Sequence, residues 1–390
     1  MRPDGKEILA YLQGQEPEML AVIQAMAGIE SPSSNPDAQR PMREFLVGLM
    51  EELDFACSRV AGRKSGGHLY SRPRTRQRGK PRQLMLGHYD TVWPEGTLAA
   101  MPVERQGDVV HGPGVYDMKG GIAQMVFALR AIRHFDLQPP LTPVVFLNSD
   151  EEIGSRESTR HIRRLAKVSD RVFVLEPSLG QEGLLKTARK GVGRFTVNVH
   201  GRAAHAGLDP DAGASAILEL SHVIQSLFGL NDPERGVTVN VGTIDGGLRP
   251  NVIAPKSRAV VDVRVRTERD AAWVSDAIHA LRPITPGVRL EIEGGIGRPA
   301  LEPTPRNQVL WTLAKDLATE LDLELRQGIA GGGSDGNTTS QYTATLDGLG
   351  PVGDGAHAAH EHLKLSHTLE RTALLAMLLL APGENARNAP

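Results

Sequence analysis

The chain has 390 residues, a formal net charge of −2 and a single cysteine, with acidic and basic residues interspersed. That length exceeds the usual limit of one hydrophobic core, so two domains are expected. The charge balance gives neither nucleic acid nor an anionic membrane a reason to bind, and one cysteine excludes both an intramolecular disulfide framework and a thiolate metal cage. A small-molecule or peptide substrate fits better.

The N-terminal MRPDGKEILAYLQG lacks a secretory apolar core with a cleavage site, so a cytoplasmic protein is expected. Residues 1 to about 57 read as two helices separated by the loop SPSSNP at 31–36, with Cys57 a buried thiol at a helix end. The basic run RPRTRQRGKPR, 72–82, lies between two strand candidates and has no aromatic residue for base stacking, which predicts a solvated hairpin loop. From Gln83 the rhythm changes: QLMLGH, a long loop, an apolar helix over 120–135, VVFLN at 144–148, a helix over about 156–166, and RVFVL at 171–175. Short apolar runs alternating with helices predict βαβ units and a central, mainly parallel sheet. Ligands of such sheets sit beyond the carboxyl ends of the strands, where His88, Glu151, Glu152 and Glu176 all fall.

Residues 194–294 follow a strand, helix, strand, strand, helix, strand order, the ferredoxin-like α+β unit. This predicts an α/β catalytic domain formed by 1–188 and 298–390, with an inserted domain at 189–297. The return carries a helix at 307–321 and the loop AGGGSDGN, which lacks the Gly-Lys-Ser/Thr ending of an ATP loop. The apolar stretch Thr372 to Ala381 is too short to span a bilayer and reads as a buried helix, followed by a loose tail GENARNAP.

The chemistry lies in an ordered series of acids and histidines. In HYDTV, residues two apart in extended chain share a side, so Asp90 can orient the His88 ring from behind. Asp117, in GPGVYDMKGG, offers two oxygens and can bridge two ions, although helix capping explains it equally well. Burying the adjacent Glu151 and Glu152 after an apolar strand is costly unless cations balance them. Extended neighbours point different ways, which assigns Glu152 to a metal and Glu151 to proton transfer, as base and then acid. Glu176 is held extended by Pro177. Among His357, His360, His362 and His367, local chemistry does not choose.

Taken in order, GHYDTV, GPGVYDMKGG, NSDEEIGS, Glu176-Pro177, GRAAHAG, RPNVI, GGGSDG and HAAHE resemble the aminoacylase and carboxypeptidase G family of dinuclear zinc metallopeptidases, from about residue 30 to 380. The resemblance implies a zinc-exopeptidase-like catalytic domain, metal ligands His88, Asp117 as bridge, Glu152, Glu176 and His357, with His360 second choice, and catalytic Asp90 and Glu151. It also implies a cis Asp117-Met118 peptide, and an inserted lid domain that dimerises the protein and lends His205 to the partner's site to polarise the scissile carbonyl. Asn251 and Arg264 resemble residues that bind a substrate carboxylate, with a surface salt bridge the alternative for Arg264; Gly332, Gly333 and Ser334 would line the cleft beside it. The implied cofactors are two divalent ions, zinc first and cobalt or manganese accepted. The implied reaction releases a C-terminal amino acid, glutamate foremost, from an N-acyl amino acid or short peptide. A deacylase or desuccinylase of the same family is the alternative, and a catalytically silent metal-binding or assembly protein the alternative of another class.

Overall fold

The computed structural model describes residues 3–75 and 79–383. Three helices open the chain, α1 (Gly5–Gly14), α2 (Glu16–Ala27) and α3 (Arg40–Glu52), where two were expected. The extra break falls at Gln15, one residue before α2, whose first turn holds Pro17, a position where its missing N–H costs nothing. Helix α3 stops at Glu52, and Asp54 takes a left-handed φ of 61° to turn the chain into strand β1 (Phe55–Val60). Cys57 therefore sits in a strand, half-buried beside Ser71, and not at a helix end.

The first unit comprises Met1–Thr187, Pro303–Ile329 and Ser334–Pro390. After β1 its elements run β2 (His68–Pro73), β3 (Arg82–His88), β4 (Glu104–Gln106), β5 (Val109–His111), α4 (Gly120–His134), β6 (Thr142–Asn148), α5 (Thr159–Ala166), β7 (Arg171–Val174) and β8 (Leu185–Arg189), the last running into the second unit. In the second unit, Ala188–Glu302 with Ala330–Gly333, follow β9 (Gly191–His200), α6 (Ala216–Phe228), β10 (Thr238–Gly246), β11 (Lys256–Val265), α7 (Glu268–His279) and β12 (Arg289–Arg298). The chain continues with α8 (Pro305–Thr319), β13 (Gln327–Ala330), α9 (Asp335–Thr339), β14 (Ala344–Leu346), β15 (Gly353–Asp354), β16 (His362–Lys364) and α10 (Leu365–Leu380).

The main sheet of the first unit has the order β1-β2-β6-β3-β7-β14, with β6, β3, β7 and β14 parallel and β2 antiparallel to both its neighbours, β1 and β6. Alternation along the central strands divides the core. Met85, Val145, Leu147 and Phe173 face the layer that holds α4 and α10, while Leu84, Leu86, Val144, Phe146, Val172 and Val174 face Ile162 of α5. Strands β2 and β3 are not a hairpin, contrary to the sequence expectation: β6 lies between them, antiparallel to β2 and parallel to β3. A strand apolar on both faces belongs in the sheet interior, and it displaces the pairing that proximity in sequence implied. Residues 76–78 of the basic run and 384–390 of the tail lie outside the described residues.

Helix α10 is buried, and its last carbonyls are met by Arg171, whose Nη2 donates to Leu378 O at 2.9 Å and Ala381 O at 2.8 Å. A guanidinium there opposes the negative end of the helix dipole. A second, antiparallel sheet of this unit has the order β15-β16-β5-β4.

In the second unit the four strands are all antiparallel, in the order β10-β11-β9-β12. With α6 and α7 on one face this is the ferredoxin-like arrangement. Along β11, Val261, Val263 and Val265 are buried, while Asp262 and Arg264 face away from that core and Arg266, just past the strand's end, is exposed.

Candidate metal centre and its surroundings

The carboxyl ends of β3, β6 and β7 bring His88, the Glu151–Glu152 turn and Glu176 to one place, and the loop before α4 adds Asp117. His88 Nε2 lies 3.2 Å from Asp117 Oδ1 and 3.5 Å from Glu176 Oε1. On the other side of the same aspartate, His357 Nε2 lies 3.4 Å from Asp117 Oδ2 and 3.0 Å from Glu152 Oε2. The geometry is two half-sites, each with one imidazole and one glutamate, sharing a single aspartate through its two oxygens. A ligand atom of Glu151 comes within 4.8 Å of His88 and Glu176.

His357 reaches this cluster from a left-handed backbone, φ 62°, a conformation rare outside glycine. His360, three residues on, makes no hydrogen bond or ion pair to these side chains; its carbonyl accepts from His362 Nδ1 at 2.9 Å. The peptide Asp117-Met118 is cis, as the resemblance implied.

The electrostatics fit a pair of divalent cations. Glu152 Oε1 is buried with no hydrogen-bond partner among the described residues, and Asp117 and Glu176 are only 14% and 10% exposed. Burial pushes Glu152 up to about 7. Burial also pushes Asp117 up, but hydrogen bonds from His357 and His88 outweigh it and hold its carboxyl far below the usual range. His357 is raised to about 10 by its hydrogen bonds to Asp117 and Glu152, and His88 is raised as well because Asp117, Asp90 and Glu176 outweigh its burial. Such a set takes up protons where it lacks other positive charge, and divalent cations satisfy the same carboxylates without them.

Asp90 stands behind His88, but differently from the sequence reading. His88 Nδ1 donates to the backbone carbonyl of Asp90 at 3.0 Å, which fixes the proton on Nδ1 and leaves Nε2 to the cluster; the nearer carboxylate oxygen is at 3.5 Å. That carboxylate accepts the amides of Glu151 and Glu152, both at 3.2 Å, and the Ser33 hydroxyl at 2.6 Å. Asp90 thus sets both the tautomer of His88 and the turn that presents Glu151 and Glu152. Glu151 and Glu152 lie in that turn, closed by Gly154 N donating to Glu151 O at 2.8 Å, so turn geometry and not strand alternation separates their side chains.

Glu361 is a further residue of the site that the sequence did not single out. Its buried carboxylate accepts Trp93 Nε1 at 2.8 Å, Gly114 N at 2.9 Å, and Tyr116 N and Asp117 N at 3.0 Å each. It therefore ties the Asp117 loop to the His357 loop. The four-residue spacing in HAAHE puts His357 and Glu361 on one loop, but the donors that Glu361 meets lie far away in the sequence.

Within the second unit, Ala206 N donates to Asn251 O at 3.0 Å, which sets the His205 and Asn251 segments side by side. His205 Nδ1 accepts the amides of Gly207 at 3.2 Å and Leu208 at 3.1 Å. Its proton is thereby assigned to Nε2, and the exposed ring presents a donor. Arg264 forks onto Asp262, Nε to Oδ1 at 2.8 Å and Nη2 to Oδ2 at 3.1 Å, so the surface salt bridge is the pairing it forms here. Eight residues of β11 separate Arg264 from Lys256 at the His200 end, roughly 27 Å of strand. Gly332 is exposed, and its carbonyl accepts Arg189 Nη1 at 3.2 Å; Gly333 is half-buried. Ser334, in the first unit, is not free to line a cleft. It is fully buried as the N-cap of α9, its hydroxyl on Asp347 and its amide donating to Asn337 Oδ1 at 2.8 Å.

The family model described as peptidase family M20/M25/M40 matches residues 84–381. The chain belongs to this family. It is 27% identical over 383 residues to carboxypeptidase G2 of Pseudomonas sp. (strain RS-16), covering 95% of this chain and 90% of that protein. It is 26% identical over 363 residues to a succinyl-diaminopimelate desuccinylase of Acidovorax ebreus (strain TPSY), covering 86% of this chain and 91% of that protein. Among solved structures, the aminopeptidase PepT of Bacillus cereus aligns with a TM-score of 0.77 at 18% identity, over 93% of this chain and 98% of that one. YXEP of Bacillus subtilis, described as a dinuclear metal binding peptidase from the M20 family, aligns with a TM-score of 0.67 at 12% identity, over 94% and 98%. The chain is a metal-dependent peptidase or amidohydrolase of the M20 family with that family's α/β fold.

Proposed function

We propose that this M20 hydrolase cleaves an amide bond and releases a C-terminal amino acid with a free α-carboxylate, glutamate foremost. The observation that carries the reading is the pair of half-sites sharing Asp117, with Glu151 beside one of them. His88, Asp117 and Glu176 would hold one ion, and His357, Asp117 and Glu152 the other. Bound there, two divalent ions supply Lewis acidity toward the scissile carbonyl and toward water. Imidazole with carboxylate favours zinc, and accepts cobalt or manganese. Glu151 takes the proton of the attacking water and returns it to the leaving amine, while Asp90 keeps His88 and the Glu151 turn in position.

Release of a C-terminal amino acid is supported by the likeness to carboxypeptidase G2, and glutamate, with its second carboxylate, by a cationic corner of the second unit. Lys190 lies near Arg266 and Arg264, and burial together with those charges lowers its pKa. A carboxylate arriving there would compete with Asp262 for Arg264, with Gly332 and Gly333 allowing close approach. Ser334 is left out of the substrate set.

The second unit is proposed as a lid that makes a homodimer. The His205 and Asn251 loops follow and precede the His200–Lys256 end of the β9–β11 pair, and Arg264 stands roughly 27 Å of strand away from that end, which argues against one small substrate meeting all three in a single copy. A second copy supplying His205 and Asn251 removes that conflict, with the His205 Nε2–H donating to the developing oxyanion. Exposed Ile217 and Leu218 on α6 and Ile244 on the unpaired edge of β10 offer apolar surface for the contact. No described helix is long and apolar enough to cross a membrane, and a cytoplasmic location is proposed on composition.

The test is hydrolysis of a panel of N-acyl and peptidyl glutamates, aspartates and neutral amino acids by zinc-loaded protein. Fastest turnover of glutamyl substrates is expected. Preference for N-succinyl substrates regardless of the released amino acid would favour the desuccinylase reading, and no turnover with metal bound would favour a silent protein.

A further inference from the structure

The small sheet β15-β16-β5-β4 carries ligand chemistry that the hydrolase reading leaves unused. Its register sets Asp354 opposite His362, His362 opposite His111, and His111 opposite Glu104. Directly opposed residues of antiparallel strands share a face, their Cα atoms roughly 4.5–5.5 Å apart. The four side chains therefore form one row across the sheet, a carboxylate at each end and two imidazoles in the middle. The His111 and His362 rings are half-buried, with centroids 5.3 Å apart and planes inclined by 45°.

The protonation pattern also suits a ligand. His362 Nδ1 donates to the His360 carbonyl at 2.9 Å, so the proton is fixed on Nδ1 and the Nε2 lone pair is left available. Metal-binding histidines are usually held in this way by a backbone or carboxylate acceptor. Among the described residues the His111 ring makes no hydrogen bond. Asp354 is oriented by Gly355 N, which donates to Oδ1 at 2.7 Å, and by Gln181 Nε2, which donates to Oδ2 at 3.4 Å.

We propose that His111 and His362, completed by Asp354 or Glu104, bind one late first-row divalent cation, zinc, nickel or copper(II), at a site separate from the Asp117 centre. Two imidazole nitrogens at metal–nitrogen distances of about 2.0–2.1 Å in a tetrahedral shell stand roughly 3.3 Å apart, which side-chain rotation from this ring spacing supplies. Imidazole ligands favour these ions over calcium or magnesium, which take oxygen. Strand β5 leads into the Asp117 loop and β16 leaves the His357 loop, so an ion here would cross-link the two strands that flank those loops. The inference does not depend on the hydrolase reading.

Equilibrium dialysis of the zinc-loaded protein against Zn²⁺ tests it, comparing wild type with His111→Ala, His362→Ala and, as an exposed control, His367→Ala. Either row variant is expected to bind one ion per chain fewer than wild type, and His367→Ala to bind the wild-type number. Equal stoichiometry in all four proteins overturns the proposal. A second measurement on unmutated protein guards against misfolded variants: one equivalent of Cu²⁺ added to the zinc-loaded protein is read by electron paramagnetic resonance. Coupling to two imidazole nitrogens is expected, since each half-site at Asp117 holds a single imidazole; coupling to one nitrogen or none overturns it.

Discussion

Replacing Glu361 by alanine should unfasten the loop that carries Asp117. Four N–H groups end on this carboxylate, three of them the backbone amides of Gly114, Tyr116 and Asp117. Trp93 is half-buried and can turn its N–H to water, so the cost falls on the amides. A buried donor stripped of its acceptor costs about 1–3 kcal/mol, and with partial rescue by water the three together predict a loss of about 3–6 kcal/mol. Glu361→Gln keeps one acceptor oxygen but sets an NH₂ against two donors, which predicts about 2–3 kcal/mol. Urea unfolding followed by circular dichroism, with chelator present so that metal release does not contribute, measures both. Zinc affinity should also fall, on the order of 10–100-fold, as it does when partners behind a ligand are lost. An alanine variant within about 1 kcal/mol of wild type would mean that the amides do not depend on Glu361.

Three further outcomes follow from the same geometry. In the metal-free protein His88 is raised, His357 lies at about 10 and Glu152 at about 7, so at pH 7 both rings and a share of Glu152 hold protons that cations must displace. Zinc binding should therefore release protons and weaken as pH falls; calorimetry in buffers of different ionisation enthalpy checks this, and zero net release contradicts it. His357→Ala should lower affinity for one of the two zinc ions at the Asp117 centre by more than roughly 100-fold while His360→Ala leaves both bound there, and equal zinc content in the two variants would contradict the assignment. If His205 acts across a dimer, mixing inactive His205→Ala with inactive Glu151→Ala protein should restore up to about one quarter of wild-type activity through hybrid dimers, whereas independent subunits would restore none.

Much of this arrangement was legible because it is local. Buried runs ending at His88, Asn148 and Val174 mark parallel strands, and the polar residues after them fall where such strands deliver ligands. The strand and helix order of the second unit likewise follows from alternating periods. What escaped is set by contacts distant in sequence or by backbone conformation. The insertion of β6 between β2 and β3 is a non-local choice of register. Glu361 shows its role only through donors some 245 residues earlier in the chain. Asp90 was expected to orient His88 with its side chain; its carbonyl accepts the ring N–H at 3.0 Å with the carboxylate 3.5 Å away, and that carboxylate also holds the Glu151 turn, which the sequence did not show. The spacing in HAAHE does not separate His357 from His360; the left-handed φ at His357, which turns its side chain toward Asp117 and Glu152, does.

Glu151 is the group on which proton transfer in the proposed reaction depends. The decisive measurement is kcat of zinc-loaded Glu151→Gln protein on the best glutamyl substrate, with zinc content determined on the same sample. Unchanged zinc is expected, with a kcat lower by about 10²–10⁴-fold, the span for loss of a positioned acid–base group. A kcat close to wild type with full zinc would contradict that role for Glu151.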